Sequence, residues 1–290
     1  MRAGQPSRTA AHNALFRALE ARRPAHRRIA DDTLALRFLP PEYRLLAEIA
    51  RVPPIRRAIE TVIDRRWPCA RTGVVVRTGL LDETITRELP EVEQVLVLGA
   101  GFDTRACRLP AMGNARVFEV DHPSTQAVKR QVLTRTLGAV PPHLGLVPVV
   151  FGQDDPRHQL KLSGFTTGMP TLALWEGVTN YLTPEAVDAT FALLAEVLAP
   201  GSPILFTYVH RGMLDGTARF DGATTTMKAV GRVGEPFTFG FDPGEVPAYL
   251  AERGLTLEWD VSVEEAAARS YPGRAPNAPA YYHVVAARRS

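Results

Sequence analysis

The run Val95-Leu96-Val97-Leu98-Gly99-Ala100-Gly101-Phe102-Asp103-Thr104-Arg105, with Asp121 twenty residues beyond its second glycine in Val117-Phe118-Glu119-Val120-Asp121, constrains this chain more than any other stretch. An apolar, strand-like run stops at a glycine turn, a helix pattern follows, and a second apolar run ends in two carboxylates. That is the layout of one βαβ unit with a ligand at its carboxyl edge. Glycine at positions 99 and 101 lets backbone approach the ligand without a Cβ in the way. An acid at position 121 is placed to accept the hydroxyls of a ribose. The loop then separates the nucleotide cofactors. A dinucleotide loop wants a third glycine where Thr104 stands, and Asp103 would put a negative charge beside a pyrophosphate at a helix N-terminus. S-adenosylmethionine has no phosphate and carries an ammonium and a sulfonium, so an acidic loop tolerates it better than NAD. An ordinary tight turn also explains a lone G-x-G, and the weight therefore falls on its context.

That context is extensive. Leu172-Ala173-Leu174-Trp175-Glu176-Gly177-Val178-Thr179-Asn180-Tyr181-Leu182 reads as an apolar strand ending in a carboxylate, followed by a helix start at Thr183-Pro184-Glu185. Pro6-Ser7-Arg8-Thr9-Ala10, Arg77-Thr78 with Leu81-Asp82, Glu119-Val120-Asp121-His122-Pro123, Trp175-Glu176-Gly177, and Gly234-Glu235-Pro236-Phe237 with Asp242-Pro243 follow one another along the chain. In these segments and their order the chain resembles, nearly end to end, the leucine carboxyl methyltransferase-like family of class I S-adenosylmethionine-dependent methyltransferases, particularly its actinobacterial branch.

The resemblance implies an α/β, Rossmann-like class I methyltransferase fold: a seven-stranded, mostly parallel sheet with helices on both faces and an N-terminal helical cap. It implies S-adenosyl-L-methionine as cofactor, held by Arg77, Gly99, Ala100, Gly101, Asp121, His122, Val150, Phe151 and Glu176. Arg77 would pair with the cofactor's carboxylate through its planar fork, a geometry lysine cannot copy. Glu176 would lie beside the methionine part. The methyl acceptor would be a carboxylate or hydroxyl oxygen of a small metabolite or a peptide terminus. One departure stands out. The family usually has an aspartate at the end of the third strand, where this chain has Val150-Phe151. Adenine's amino group loses a charged partner worth roughly 1.5 to 3 kcal/mol, unless Asp154, Asp155 or the backbone around Phe151 and Gln153 replaces it.

Elsewhere, apolar residues recur at helical spacing from Thr9 to about Ile63, cut by Pro24, Pro40-Pro41 and Pro53-Pro54 into short helices. Residues 1–88 are read as a helical cap and 89–290 as the cofactor-binding core, with a substrate-covering insertion near 210–241. Strands are expected at Gln94 to Leu98, Ala115 to Val120, Leu144 to Val150, Thr171 to Trp175, Pro203 to Val209, Leu255 to Val261 and Tyr281 to Ala287. Helices fall near Thr104 to Arg108, Ser124 to Leu137, His158 to Leu162, Pro184 to Leu198 and Pro243 to Arg253, and the Pro-rich stretch Tyr271 to Pro279 links the last two strands.

Tyr181, Tyr208 and His210 sit at or just after strand ends and are the candidates to line the acceptor pocket. Glu119 is read as either a structural carboxylate or a cofactor contact, and Trp175 as packing. Methyl transfer is an in-line displacement that requires alignment and exclusion of water but no metal. A carboxylate acceptor, with a pKa of ~4, needs no general base, whereas an alcohol or phenol would want one such as His210 or Glu176. Two other readings remain: an NAD(P)-dependent oxidoreductase, against which Thr104 and Asp103 argue, and a non-catalytic ligand-binding protein on the same fold, which Val150 keeps open.

Composition excludes some partners. The net charge of +3 and pI near 9.0 rest on arginine, but the pairs Arg22-Arg23, Arg27-Arg28, Arg56-Arg57 and Arg65-Arg66 are diluted by acids and read as solvated helix faces rather than a nucleic-acid surface. No apolar run approaches the ~20 residues a bilayer span needs, and no apolar h-region follows the N-terminal arginines. Cys69 and Cys107 have no metal spacing and fit a reducing compartment, so a cytoplasmic protein is expected. The sequence does not specify an oligomeric state.

Overall fold

The computed structural model describes residues 8–151, 153–232, 234–271 and 277–290; Pro6-Ser7 of the N-terminal motif and residues 272–276 of the Pro-rich link lie outside the described residues. Seven strands form one sheet in the order β3-β2-β1-β4-β5-β7-β6. They are β1 (Gln94–Leu98), β2 (Arg116–Asp121), β3 (Leu144–Pro148), β4 (Thr171–Trp175), β5 (Pro203–Val209), β6 (Leu255–Ser262) and β7 (Tyr282–Arg289). The first five pair in parallel, and β7 runs antiparallel to both β5 and β6. The strand order reverses beside β1, so the carboxyl ends of β1 and β4 diverge there and open a crevice for a ligand.

The two-residue period of β1 divides the core. Val95 and Val97 enter one apolar cluster with α4 (Ala70–Glu88) and α12 (Val263–Ser270), whereas Leu96 and Leu98 enter the other with α8 (Pro184–Val197) and α11 (Val246–Ala251). The remaining core helices are α5 (Arg105–Arg108), α6 (Pro123–Leu137) and α7 (Pro156–Leu162). Before the core, α1 (Arg8–Glu20), α2 (Pro41–Ile49) and α3 (Pro53–Arg66) bury a third cluster that includes Ala14, Leu15, Leu19 and Ile63. Proline occupies the first turn of α2, α3, α6, α7 and α8, where its missing N–H costs no helical bond.

The expected strands are all present, with ends displaced by a residue or two. β3 stops at Pro148, so Val150 has already left the sheet. The region 210–241 contains two helices, α9 (Arg211–Asp215) and α10 (Ala223–Arg232), that weak periodicity did not announce. A further helix, α12, stands between β6 and the Pro-rich link. Its start was legible: Ser262 accepts the Glu265 N–H and Glu265 reaches back to the Ser262 N–H, a capping box.

Candidate functional site

The carboxyl ends of β1, β2 and β4 open onto a cavity of about 630 Å³. Its floor is the glycine loop. Gly99 and Gly101 have φ of +65° and +47°, in the left-handed region that disfavours any side chain. A Cβ at Gly99 would also lie 2.4 Å from Val178 Cγ2, so the expected open approach holds at Gly101, where nothing comes nearer than 3.8 Å, while at Gly99 the space is filled by protein. Asp121, at the end of β2, accepts the Gly101 N–H through Oδ2 and the His122 N–H through Oδ1, each at 2.6 Å. A carboxylate offers about four acceptor sites, so these bonds orient Asp121 and still leave capacity for two hydroxyls. Ala100, His122, Val150, Phe151, Arg77 and Glu176 line the same cavity, so all nine residues expected around the cofactor converge on it.

Ionic partners hold this wall in place. Arg77 Nε donates to Glu176 Oε1 at 2.6 Å and Arg105 Nη1 to Glu176 Oε2 at 2.7 Å, both arginines being buried. Burial would raise the Glu176 carboxyl, but Arg105 and Arg77 hold it down at about 2. Arg105 is a hub that sequence reasoning missed: it also binds Asp82 of α4 at 2.7 Å and the Asp103 carboxylate. Asp103 accepts the Arg105 N–H at 2.7 Å, so the N-terminus of α5 is already capped by a protein carboxylate. A carboxylate already sits where a pyrophosphate would, and its charge would repel one, which counts against the dinucleotide reading. Arg17 of α1 joins the floor by donating to the Phe102 carbonyl at 2.7 Å.

Val150 lines the cavity with Phe151, and no carboxylate has replaced the expected aspartate there. Asp154 accepts the Val150 N–H at 2.7 Å and Asp155 accepts the Arg157 N–H at the start of α7. Both are spent on local turns, and neither lines the cavity. Glu119 resolves to the structural reading: it is buried against the equally buried Lys129 of α6, and burial pushes its carboxyl up to about 7. Trp175 is buried packing, and burial drives the Cys107 thiol up to about 11.

A second cavity, also about 630 Å³, lies under the cap helices and is lined mainly by apolar side chains of α1, α3, α4 and α10. Thr9, Asn13, Arg77, Gly177 and Tyr181 line both cavities and form the seam between them. Thus Tyr181 stands at the junction, its ring edge-on to Phe237. Burial, with Tyr282 and Glu235 beside it, raises the Tyr181 phenol above its ordinary range.

The other two acceptor-pocket candidates are corrected by the structure. The pleat of β5 turns Tyr208 to the face covered by α8 and α11, where it is fully buried, donates to Asp260 Oδ2 at 2.6 Å and stacks on His283 at 4.8 Å. His210 caps α9, its Nδ1 accepting the Gly212 N–H at 3.0 Å, and packs on Phe220. Neither lines either cavity. Asn13 and Thr9, by contrast, were missed: helical periodicity marks α1 as amphipathic but does not tell which of its polar residues faces a ligand.

The family model of leucine carboxyl methyltransferase matches residues 10–195. A protein of Mycolicibacterium gilvum, provisionally named an S-adenosyl-L-methionine-dependent methyltransferase, is 40% identical over 52% of this chain and 48% of its own. A similarly named protein of Bacillus subtilis is 30% identical over 67% of this chain and 65% of its own. This chain thus spans about half to two thirds of the length of these relatives. The crystal structure of a DUF574 family protein from Streptomyces avermitilis superposes with a TM-score of 0.61 over 99% of both chains at 14% identity. One provisionally described as a methyltransferase, from Thermobifida fusca, gives 0.58 over 100% of this chain and 97% of its own at 15% identity. At such identities the likeness is one of fold. No helix among the described residues is long and apolar enough to cross a membrane.

Proposed function

Since this chain belongs to the leucine carboxyl methyltransferase family, we propose that it moves a methyl group from S-adenosyl-L-methionine to a carboxylate oxygen of an acceptor seated under the cap. The residues present fit that cofactor. Asp121 keeps acceptor capacity for a ribose diol, and Gly101 leaves the floor clear above it. Arg77 donates Nε to Glu176 and lines the cavity as a cation suited to a carboxylate, while Glu176, ionised at neutral pH, suits an ammonium. When bound, the cofactor supplies a methyl carbon already activated by a sulfonium.

The observation that carries the carboxylate acceptor is that none of the described seam residues, Thr9, Asn13, Arg77, Gly177 and Tyr181, is a general base at neutral pH. Beyond the seam, Glu176 is tied to two arginines, Asp121 is assigned to the ribose, Glu235 accepts the Thr9 hydroxyl, and His12 on the cap-cavity wall pairs with the Tyr43 hydroxyl. Tyr181, with its phenol held protonated, can donate a hydrogen bond but not take a proton. An alcohol acceptor needs a group to receive its proton; a carboxylate has none to lose at neutral pH. The chain's residues then align the acceptor oxygen with the methyl and exclude water, which lowers the barrier of such a displacement.

Calorimetric titration with S-adenosylhomocysteine and with NAD, followed by transfer assays on matched carboxylic acids and alcohols, tests this. Binding of the first ligand only, with acids methylated at a rate nearly flat between about pH 6 and 9, is the expected result. Methylation of alcohols alone would remove the carboxylate acceptor, and NAD binding would remove the cofactor.

A further inference from the structure

Resting on the methyl-transfer reading, we propose that the acceptor is a small carboxylic acid with a long apolar body rather than a peptide terminus, and that Asn13 receives its polar end. The cap cavity is large enough for a metabolite-sized ligand, which falls in the few-hundred to thousand Å³ range of small-molecule sites. Four of the polar groups along its length are engaged with each other in two pairs. Thr226 Oγ1 and Tyr281 OH lie 2.9 Å apart, and His12 Nε2 and Tyr43 OH 3.0 Å apart. What remains for a ligand along the barrel of the cavity is apolar surface. An extended peptide brings one donor and one acceptor per residue, and burying them against such a wall leaves them unpaired.

The exception lies at the inner end. Asn13 is half-buried, lines both cavities, and its side-chain amide makes no hydrogen bond to any described residue. It shares the seam with Tyr181, where the acceptor oxygen must meet the methyl, and its amide can supply N–H donors there. At the outer end the cavity opens along α3 and α10. Val62 lines it while 64% exposed, and Leu45, Ile49, Val52 and Ile55 on the neighbouring turns of α2 and α3 are exposed as well. Arg66 and Arg232, both exposed on the lining, put positive charge at this mouth. An anionic, apolar acid is drawn in by those charges, slides carboxylate-first to Asn13, and leaves its tail against the apolar helix face.

The test is calorimetry on the full chain loaded with S-adenosylhomocysteine, using hexanoate, octanoate, decanoate, methyl decanoate and a tetrapeptide ending in leucine. Affinity for the acids should rise about fourfold per methylene, the value of one buried CH₂. Asn13→Leu, which keeps the volume and removes the amide, should weaken every acid about tenfold, leave the slope per methylene unchanged, and leave methyl decanoate unaffected. A merely structural role for Asn13 would shift acid and ester alike. Ala229→Trp, which fills the cavity from α10, should abolish acid binding and leave S-adenosylhomocysteine affinity within twofold. Acid affinity independent of chain length, or a peptide that binds more tightly than decanoate, overturns the proposal. Failure of S-adenosylhomocysteine to bind strikes the methyl-transfer reading alone; the chain-length series, repeated without it, still decides the cavity.

Discussion

Arg105 and Glu176, 71 residues apart in sequence, meet at 2.7 Å where α5 faces the carboxyl end of β4. The bond locks the helix after the glycine loop to the strand across the crevice, and Arg105 extends the lock to Asp82 on α4. Cap, loop and sheet therefore share one buried ionic network. Its cost is the desolvation of several charges, and its return is a fixed geometry at the crevice.

Glu176→Gln is expected to weaken S-adenosylhomocysteine binding and to destabilise the fold by about 3 kcal/mol, because Arg77 then stands buried without an ionic partner. The pH dependence follows in sign. Arg105 and Arg77 depress the folded carboxyl below its unfolded value, so the stability Glu176 contributes is complete above about pH 4.5 and lost as the pH falls toward its folded value of about 2. Urea midpoints between pH 5 and 2.5 should fall less steeply in the variant than in the native chain. Equal slopes would mean that the pair is not coupled to folding.

Asp121→Ala should weaken S-adenosylhomocysteine at least tenfold, since a charged acceptor of hydroxyls is worth about 1.5 kcal/mol or more. The structure adds a complication, because Asp121 also orients the loop through the Gly101 and His122 amides. Asp121→Asn keeps one oxygen for the loop and therefore separates the two effects. A variant in which Asn restores the melting temperature but not the affinity supports ribose binding by the carboxylate; restoration of both assigns Asp121 to loop geometry alone.

The parts of this site that were legible in the sequence are those fixed by backbone. Gly99, Gly101 and Asp121 were readable because a strand that ends at a left-handed turn leaves few residue types to choose from. Tyr208 misled because its position at a strand end was informative but its side of the pleat was not: one residue along β5 separates the cap-side cluster, which holds Val209, from the opposite one, which holds Tyr208. Arg105 closes the glycine-loop motif, yet its three carboxylate partners come from α4, the glycine loop and the residue after β4, and no local pattern encodes such convergence. The α12 helix carries a start signal in Ser262 and Glu265, but its eight residues before the Pro-rich link are too few for a helical period to stand out.

Tyr181→Phe should lower the rate of methyl transfer about tenfold and change S-adenosylhomocysteine affinity by less than about threefold, because it removes one donor from the seam and none of the charged groups of the cofactor wall. Native and variant rates should run parallel in pH, the phenol being protonated throughout the neutral range. A rate in the native chain that climbs with pH and loses that climb in Tyr181→Phe would make the phenol a base and reverse this assignment.

The apolar adenine wall gives the last prediction. A repacked, closed site would make Val150→Asp a buried unpaired charge costing several kcal/mol. Val150 is instead half-buried on the open cavity wall beside Phe151, which is 48% exposed, so a carboxylate there keeps contact with water and the fold should tolerate it. The opposing term is local: the Asp154 carboxylate already sits 2.7 Å from the Val150 N–H, and a second acid in that turn is repelled by it. Val150→Asp alone should tighten S-adenosylhomocysteine only modestly. Paired with Asp154→Asn, which keeps an oxygen for the Val150 N–H and removes the charge, it should tighten the ligand about tenfold, as a charged acceptor for the adenine amino group is worth about 1.5 kcal/mol or more. A melt and a binding titration on the single and double variants read both terms. Weaker binding in the double variant with a lowered melting temperature would show that Val150 packs a closed pocket and that adenine is held by backbone instead.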